Sequence, residues 1–249
     1  MADYTQYGFF FDQSRCDNCM TCVVACKGWL GIGPGPAKPA RMLEWETGTF
    51  TNIRLNFLFA TCYHCENPVC VDKANGGLIK EPKYGAVLID PQKNKSLRDA
   101  AAACPYGAIA FESDASDAVA VKCNMCIDKL EEGEKPVCAM SCHMRCLDFG
   151  KLSDLKTKYG NVMTLEGFPD PTLTKPAIIF KAKDKKTNVV SYDANIALTL
   201  LSDRGSLPKP FNSPSDVTNP PEGIVGRTAP VFKPKSTREY VVTSRNDEG

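Results

Sequence analysis

Four cysteines fall within eleven residues near the amino terminus: Cys16, Cys19, Cys22 and Cys26, spaced C-x2-C-x2-C-x3-C. Thiolates so spaced hold four-iron, four-sulfur cubanes, the first three wrapping one cluster on a tight loop while the fourth reaches a different one. Zinc needs only four ligands, usually from two separated C-x2-C pairs, so this dense run is a poor zinc pattern. Cysteines three apart also seldom pair as disulfides, because the short loop is strained. The chemistry indicated is one-electron transfer.

The other cysteines repeat the theme. Cys62-x2-Cys65-x4-Cys70 follows, then Cys104-Pro105, then Cys123-x2-Cys126-x11-Cys138-x3-Cys142, with Cys146 left over. Two internal repeats relate these runs. Phe11 to Cys16 resembles Ile89 to Asn94, so Cys16, Cys19, Cys22 and Cys26 face Asn94, Leu97, Ala100 and Cys104. Cys62, Cys65, Cys70 and Ala74 likewise face Cys123, Cys126, Cys138 and Cys142. When the fourth cysteine of each run serves the other cluster, as in two-cluster ferredoxins, three complete sets emerge. Cys16, Cys19 and Cys22 join Cys142; Cys123, Cys126 and Cys138 join Cys26; Cys62, Cys65 and Cys70 join Cys104. The fourth set, Ala74, Asn94, Leu97 and Ala100, has lost all its sulfur together. The expected cofactors are three [4Fe–4S] clusters and one vacated site. Cys146 aligns with Ala108 and reads as a small buried residue rather than a ligand.

Composition narrows the class. The chain has 249 residues, a net charge of +1 and 13 cysteines. Near-neutral charge gives no support to a nucleic-acid partner. An odd cysteine count in short clusters argues against a disulfide framework. No apolar run approaches the roughly 18–20 residues of a membrane span, and no signal peptide or twin arginine precedes an apolar segment. The expectation is a cytoplasmic protein, with export on a partner's twin-arginine signal as the alternative.

These loops must be positioned by short elements. Residues 7–11 form an aromatic run expected as a buried strand, 20–27 a short helix, and 31–39 a Gly/Pro loop. Residues 52–60 alternate like a strand leading into Cys62. Residues 78–80 and 86–90 bracket a hairpin, as do 109–111 and 119–121. Residues 95–103 are Ala-rich and helical, stopped by Pro105. Residues 153–159 form a short helix with Ser153 as N-cap and Gly160 as stop. The last 47 residues hold seven of the 18 prolines, giving an extended tail that needs a partner or the body for order. The fold class is α+β: two intertwined bacterial-ferredoxin-like modules with short hairpins and helices, plus that tail. The first module spans 1–61 and 105–150, the second 62–104, and an extension of 151–249 wraps the body or a partner.

At residues 5–183 the chain resembles the iron–sulfur (beta) subunits of the dimethyl sulfoxide reductase family of molybdenum or tungsten enzymes. The likeness is carried by 16–26, Cys-Tyr-His-Cys-Glu-Asn-Pro-Val-Cys at 62–70, Cys-Pro-Tyr-Gly-Ala at 104–108, Cys-Asn-Met-Cys-Ile-Asp-Lys-Leu at 123–130 and Asp170-Pro171 to Pro176. Such subunits usually hold four cubanes. The three-cluster layout is more similar to the beta subunits of pyrogallol–phloroglucinol transhydroxylases, whose alpha partner carries a bis-pterin molybdenum cofactor. The resemblance implies a large catalytic partner with a bis-pterin molybdenum or tungsten cofactor, and a soluble external electron carrier. Lys27 and His143 stand where the family often has proline.

The leading reading is thus a non-catalytic electron-transfer subunit. Its rival is a protein whose cluster performs catalysis or senses oxidants, which would need an open iron and hence a three-ligand site. His64 and His143 read as filler or as hydrogen-bond donors to cluster sulfur rather than ligands. Trp29 and Trp45 read as core or interface residues. Lys122, Lys129 and Lys135 read as surface lysines. Nothing resembles a nucleophile–base pair or a phosphate loop.

Overall fold

The computed structural model describes residues 5–49, 53–95 and 97–184. The proline-rich tail expected at the carboxy terminus lies outside them. The chain opens with β1 (Tyr7–Asp12), α1 (Thr21–Trp29), β2 (Ala40–Thr47) and β3 (Arg54–Thr61), then α2 (Val69–Asp72), β4 (Leu78–Lys80), β5 (Val87–Ile89) and α3 (Arg98–Ala103). It continues through β6 (Ala110–Phe111), β7 (Ala120–Val121), α4 (Ile127–Glu131), α5 (Val137–Ser141), β8 (Leu147–Lys151), α6 (Leu152–Tyr159), α7 (Pro171–Thr174) and β9 (Ile178–Lys181). Short helices beside short antiparallel hairpins make an α+β, ferredoxin-like frame.

β1 is apolar on both faces because it is the centre of a three-stranded sheet ordered β8-β1-β9, antiparallel to β8 and parallel to β9. Phe9 and Phe11 point into the main core with Phe59, Phe149 and Phe180. Phe10 points to the other face, where it joins Leu152, Leu155 and Ile179 and stacks on Tyr159 with ring centroids 3.6 Å apart. Gly8 is required by the parallel pairing, since a Cβ there would meet the Ala177 carbonyl oxygen at 2.4 Å. This strand-to-strand closure ties residues near 180 to the amino terminus.

The remaining sheets are two-stranded: β2 with β3, β4 with β5, and β6 with β7. The last two are the hairpins expected from sequence. β3 is expected too, but its partner β2 is not, because its Arg, Glu and exposed Leu43 give no clean alternation of apolar and polar residues. α3 begins at Arg98 rather than 95. α6 begins at Leu152 with Lys151 at its N-cap and no capping side chain, so Ser153 is not the cap; Gly160, at φ 91°, does end it. The reason is continuity: β8 runs straight into α6 without a turn that could place a hydroxyl.

Asp148 pins β8 to its surroundings. Its carboxylate accepts from Lys135 at 2.5 Å, the Tyr159 hydroxyl at 2.6 Å and Lys158 at 3.0 Å. Burial alone would raise its pKa, but these donors outweigh burial and hold it below the usual carboxylate range. A carboxyl depressed in the folded state contributes stability above its unfolded pKa near 3.9, lost only as pH falls below that value. Asp148→Asn is therefore expected to cost about 1 kcal/mol, since both lysines are largely exposed. In thermal unfolding the cost should be the same at pH 7 and pH 5. A penalty already fading at pH 5 would contradict this account.

Candidate iron–sulfur centres

The C-x2-C loops that start at Cys16, Cys62 and Cys123 are built the same way. The third residue of each takes a left-handed conformation: Asn18 at φ 61°, His64 at 44° and Met125 at 62°. Two loops add a turn held by the residue after the first cysteine, with Cys19 N donating to Asp17 at 3.3 Å and Cys126 N to Asn124 at 2.9 Å. The tight turn curls the thiols inward, and a helix starts directly after it at Thr21 and Ile127. Cys22 and Cys26 lie one turn apart on the buried face of α1, so they reach different neighbours.

The cysteines of each expected set lie near one another. Cys16, Cys19, Cys22 and Cys142 line one cavity with Met42, Phe11 and Phe59. Burial pushes the Cys22 thiol up to about 12, reinforced by Cys142, Cys16 and Cys19. The Cys26 thiol is raised by burial and then by the charges of Cys123 and Cys126. Cys138 is raised well above the ordinary value by burial and by Cys123, Cys126, Cys26 and Cys22. Cys65 is pushed up to about 12 by burial and Cys62, with Cys104 and Cys70 adding to it. Cys70 rises to about 11 by burial, Cys62 and Cys104.

Cys146 is buried, as its register suggests, but its thiol also enters the first cavity. It lies 3.3 Å from Cys142 Sγ, and its nearness to Cys16 lowers the Cys16 thiol to about 7 and raises its own. No alignment against Ala108 could show that, because the inward turn belongs to the approach to β8.

The groups also have an order. Cys22 of the first interacts with Cys138 of the second, and Cys123 of the second with Cys62 of the third. Cys70 of the third packs against a separate apolar cluster of Ala74, Leu78, Val87, Leu97, Ala100, Ile109 and Ala120. Three of the four sulfur-free positions are therefore core: Leu97 is 1% exposed, Ala100 is fully covered and Ala74 is buried.

Between the second and third groups lies a polar layer that sequence reasoning missed. Lys122 is only 6% exposed and donates to the carbonyls of Val87 and Cys123, so it is not a surface lysine. Lys80 donates to the carbonyls of Cys65 at 2.6 Å and His64 at 3.1 Å and to Gln6 at 2.8 Å. Burial lowers its pKa to about 8 against the pull of Cys65 and Cys62. His64 is fully buried, and burial together with Lys122 and Lys80 holds its pKa well below the usual range, leaving it neutral. His143 is exposed, with Nδ1 3.6 Å from Cys19 Sγ and Nε2 3.5 Å from Asp17. Lys129 pairs with Glu132 and Glu134, and Lys135 with Asp148. Trp29 is largely exposed and donates to Asp128 at 2.8 Å.

All 13 cysteines are free thiols, and sulfur-only sets on tight loops suit iron–sulfur clusters. Frame and loops together define a ferredoxin-type iron–sulfur protein. Residues 53–152 match the family model of the 4Fe-4S dicluster domain. The chain is similar to the B subunit of the anaerobic dimethyl sulfoxide reductase of Escherichia coli K12, 35% identical over 185 residues covering 71% of this chain and 89% of that subunit. It is also similar to the pyrogallol hydroxytransferase small subunit of Pelobacter acidigallici, 30% identical over 190 residues, 71% of this chain and 68% of that one. The formate dehydrogenase subunit beta of Megalodesulfovibrio gigas matches at 33% over 175 residues, 60% and 78%. The chain belongs to the iron–sulfur subunits of the molybdopterin oxidoreductases, proteins that carry electrons on [4Fe–4S] clusters. Among the described residues no helix is long and apolar enough to cross a membrane.

Proposed function

We propose that this chain carries electrons through three [4Fe–4S] centres between a molybdopterin catalytic subunit and an external carrier. The ligand sets are Cys16, Cys19, Cys22 and Cys142; Cys26, Cys123, Cys126 and Cys138; and Cys62, Cys65, Cys70 and Cys104. One observation carries the reading: sequence-distant thiols lie near one another within these sets, while Ala74, Leu97 and Ala100 of the fourth set are buried in apolar core. A bound cubane would supply a one-electron carrier, and the protein sets its potential through burial, hydrogen bonds and spacing. The first two sets belong to a module of 1–61 with 105–150, the third to a module of 62–104. The extension is taken as 151–249, wrapping this body or the partner; within its described part, β9 pairing with β1 supports packing on the body.

The neighbour relations among the groups support a row in which the filled position lies beyond the Cys62 set. That set is then the exchange point with a soluble carrier, and the Cys16 set faces the catalytic partner, a large subunit with a bis-pterin molybdenum or tungsten cofactor. The relatives themselves are subunits of larger enzymes by name. The cell compartment we favour is the cytoplasm, with export on the partner's signal as the alternative.

The Cys16 set also tests the ligand choice. Cys142→Ser is expected to remove one centre, while Cys146→Ser leaves all three, read by iron content and by EPR of the reduced complex. A centre lost with Cys146 instead would exchange the two roles. A catalytic or sensing cluster would need an open iron, and its EPR signal would move on adding substrate or oxidant. Unmoved signals are expected.

A further inference from the structure

The imidazole of His64 spans the gap between two cysteine groups. It sits inside the Cys62-Tyr63-His64-Cys65 loop, whose left-handed third position turns the ring away from its own cysteines. Nδ1 accepts the Val87 backbone N–H at 2.9 Å. A nitrogen that accepts cannot also carry a proton, so the ring proton resides on Nε2. Nε2 lies 3.4 Å from Cys123 Sγ, within reach of an N–H···S bond. Both ends of this bridge are clamped: Lys122 holds the carbonyls of Val87 and Cys123, and Lys80 holds those of His64 and Cys65.

We propose that His64 tunes the potential of the Cys26/Cys123/Cys126/Cys138 centre from within the loop of the neighbouring one, by donating Nε2–H to Cys123 Sγ. This rests on the ligand sets proposed above. A sulfur that accepts an N–H bond holds added negative charge more readily, so the bond raises the reduction potential of the centre it touches. Cys123 Sγ also receives the Met125 N–H at 3.3 Å, a bond internal to its own loop. The His64 bond is different in kind, since it crosses from one group to the next. It makes the potential of the second centre depend on a residue in the loop of the third. A filler histidine would pack the same gap but leave each potential alone.

The test is an EPR-monitored redox titration of the assembled complex with His64→Leu and His64→Gln. Leucine removes the donor, and the midpoint of one centre is expected to fall while the other two hold. Glutamine can place its amide N–H near the Nε2 position, and its midpoint is expected to return toward the wild-type value. Three midpoints unchanged in His64→Leu would overturn the proposal, as would glutamine behaving like leucine. If His64→Leu fails to assemble, the wild-type complex labelled with 15N-histidine gives a second reading. The sequence has only two histidines, and His143→Gln removes the other. A nitrogen hyperfine coupling to one reduced centre is then expected in the His143→Gln protein, and its absence would overturn the proposal. Iron content separates the two failures. About 12 iron atoms per chain without coupling defeats the role of His64 alone, whereas far less iron defeats the ligand sets and this role with them.

Discussion

Chain prepared without iron is expected to show no cooperative unfolding transition. The main core contains Cys22, Cys26, Cys62, Cys123, Cys138, Cys142 and Cys146 beside Phe9, Phe11 and Phe59, so the thiols are part of the packing. Around them the helices of the described residues run only four to nine residues, shorter than the 12–15 or so that hold marginally alone. Among the described residues three of the four sheets are two-stranded, and such hairpins are marginal by themselves. The proposed ligand sets join residues 16–26 to 123–142 and 62–70 to 104, closing long loops that otherwise remain open. Structural zinc sites supply roughly 10–16 kcal/mol of apparent folding free energy, about the whole stability of a domain, and that sets the scale for a metal-linked core such as this one. Loss of the metal removes the margin. Any residual apo structure should weaken as pH climbs above the ordinary thiol value near 8.5. Burial raises the folded thiols Cys22, Cys65 and Cys123 to about 12, so the unfolded chain ionises first and gains. Calorimetry and circular dichroism would check both points. A sharp apo transition at the temperature of the loaded protein would sink the claim.

Leu97→Ala is expected to destabilise the loaded chain by roughly 3 kcal/mol without adding iron. Leu97 stands where a cluster cysteine stands in the repeat, and it is packed among Leu78, Val87 and Ala100. Three of the four sulfur-free positions are therefore taken up by packed core, which supports the reading that no cubane sits there. Removing one of these side chains leaves a cavity, whose cost grows at about 24 cal/mol per Å³. Iron analysis of wild type and variant should agree at about 12 per chain, four for each of three centres. A value near 16, or a loss of stability below about 1 kcal/mol, would mean that this position is not closed core.

How much of this is legible in the sequence depends on range. The aromatic run of β1, the helix after Cys19, both small hairpins and the stop at Gly160 follow from local patterns, and they appear where those patterns put them. β2 carries no such pattern, because it is an outer strand whose side chains are mostly half-buried or exposed. The pairing of β1 with β9 joins Phe9 to Ile178 across most of the described chain. Hydrophobicity marks each strand as apolar but cannot name its partner. Ser153 misleads for the same reason: a cap depends on how the preceding strand enters the helix.

What the sequence determined by itself was the spacing of thiols and the repeat that relates them. Ligand reach along a tight loop is a matter of covalent geometry over a few residues, so counting positions suffices. Only the tertiary structure decided what lies between the groups. Lys122 looks like any exposed lysine in the sequence, yet its ammonium is buried against Val87 and Cys123. His64 reads in sequence as filler or as a hydrogen-bond donor to cluster sulfur, but only the fold shows which sulfur its ring reaches, that of Cys123, 59 positions away. Burial and hydrogen-bond partners are set by which distant segments meet, and no local pattern encodes that meeting.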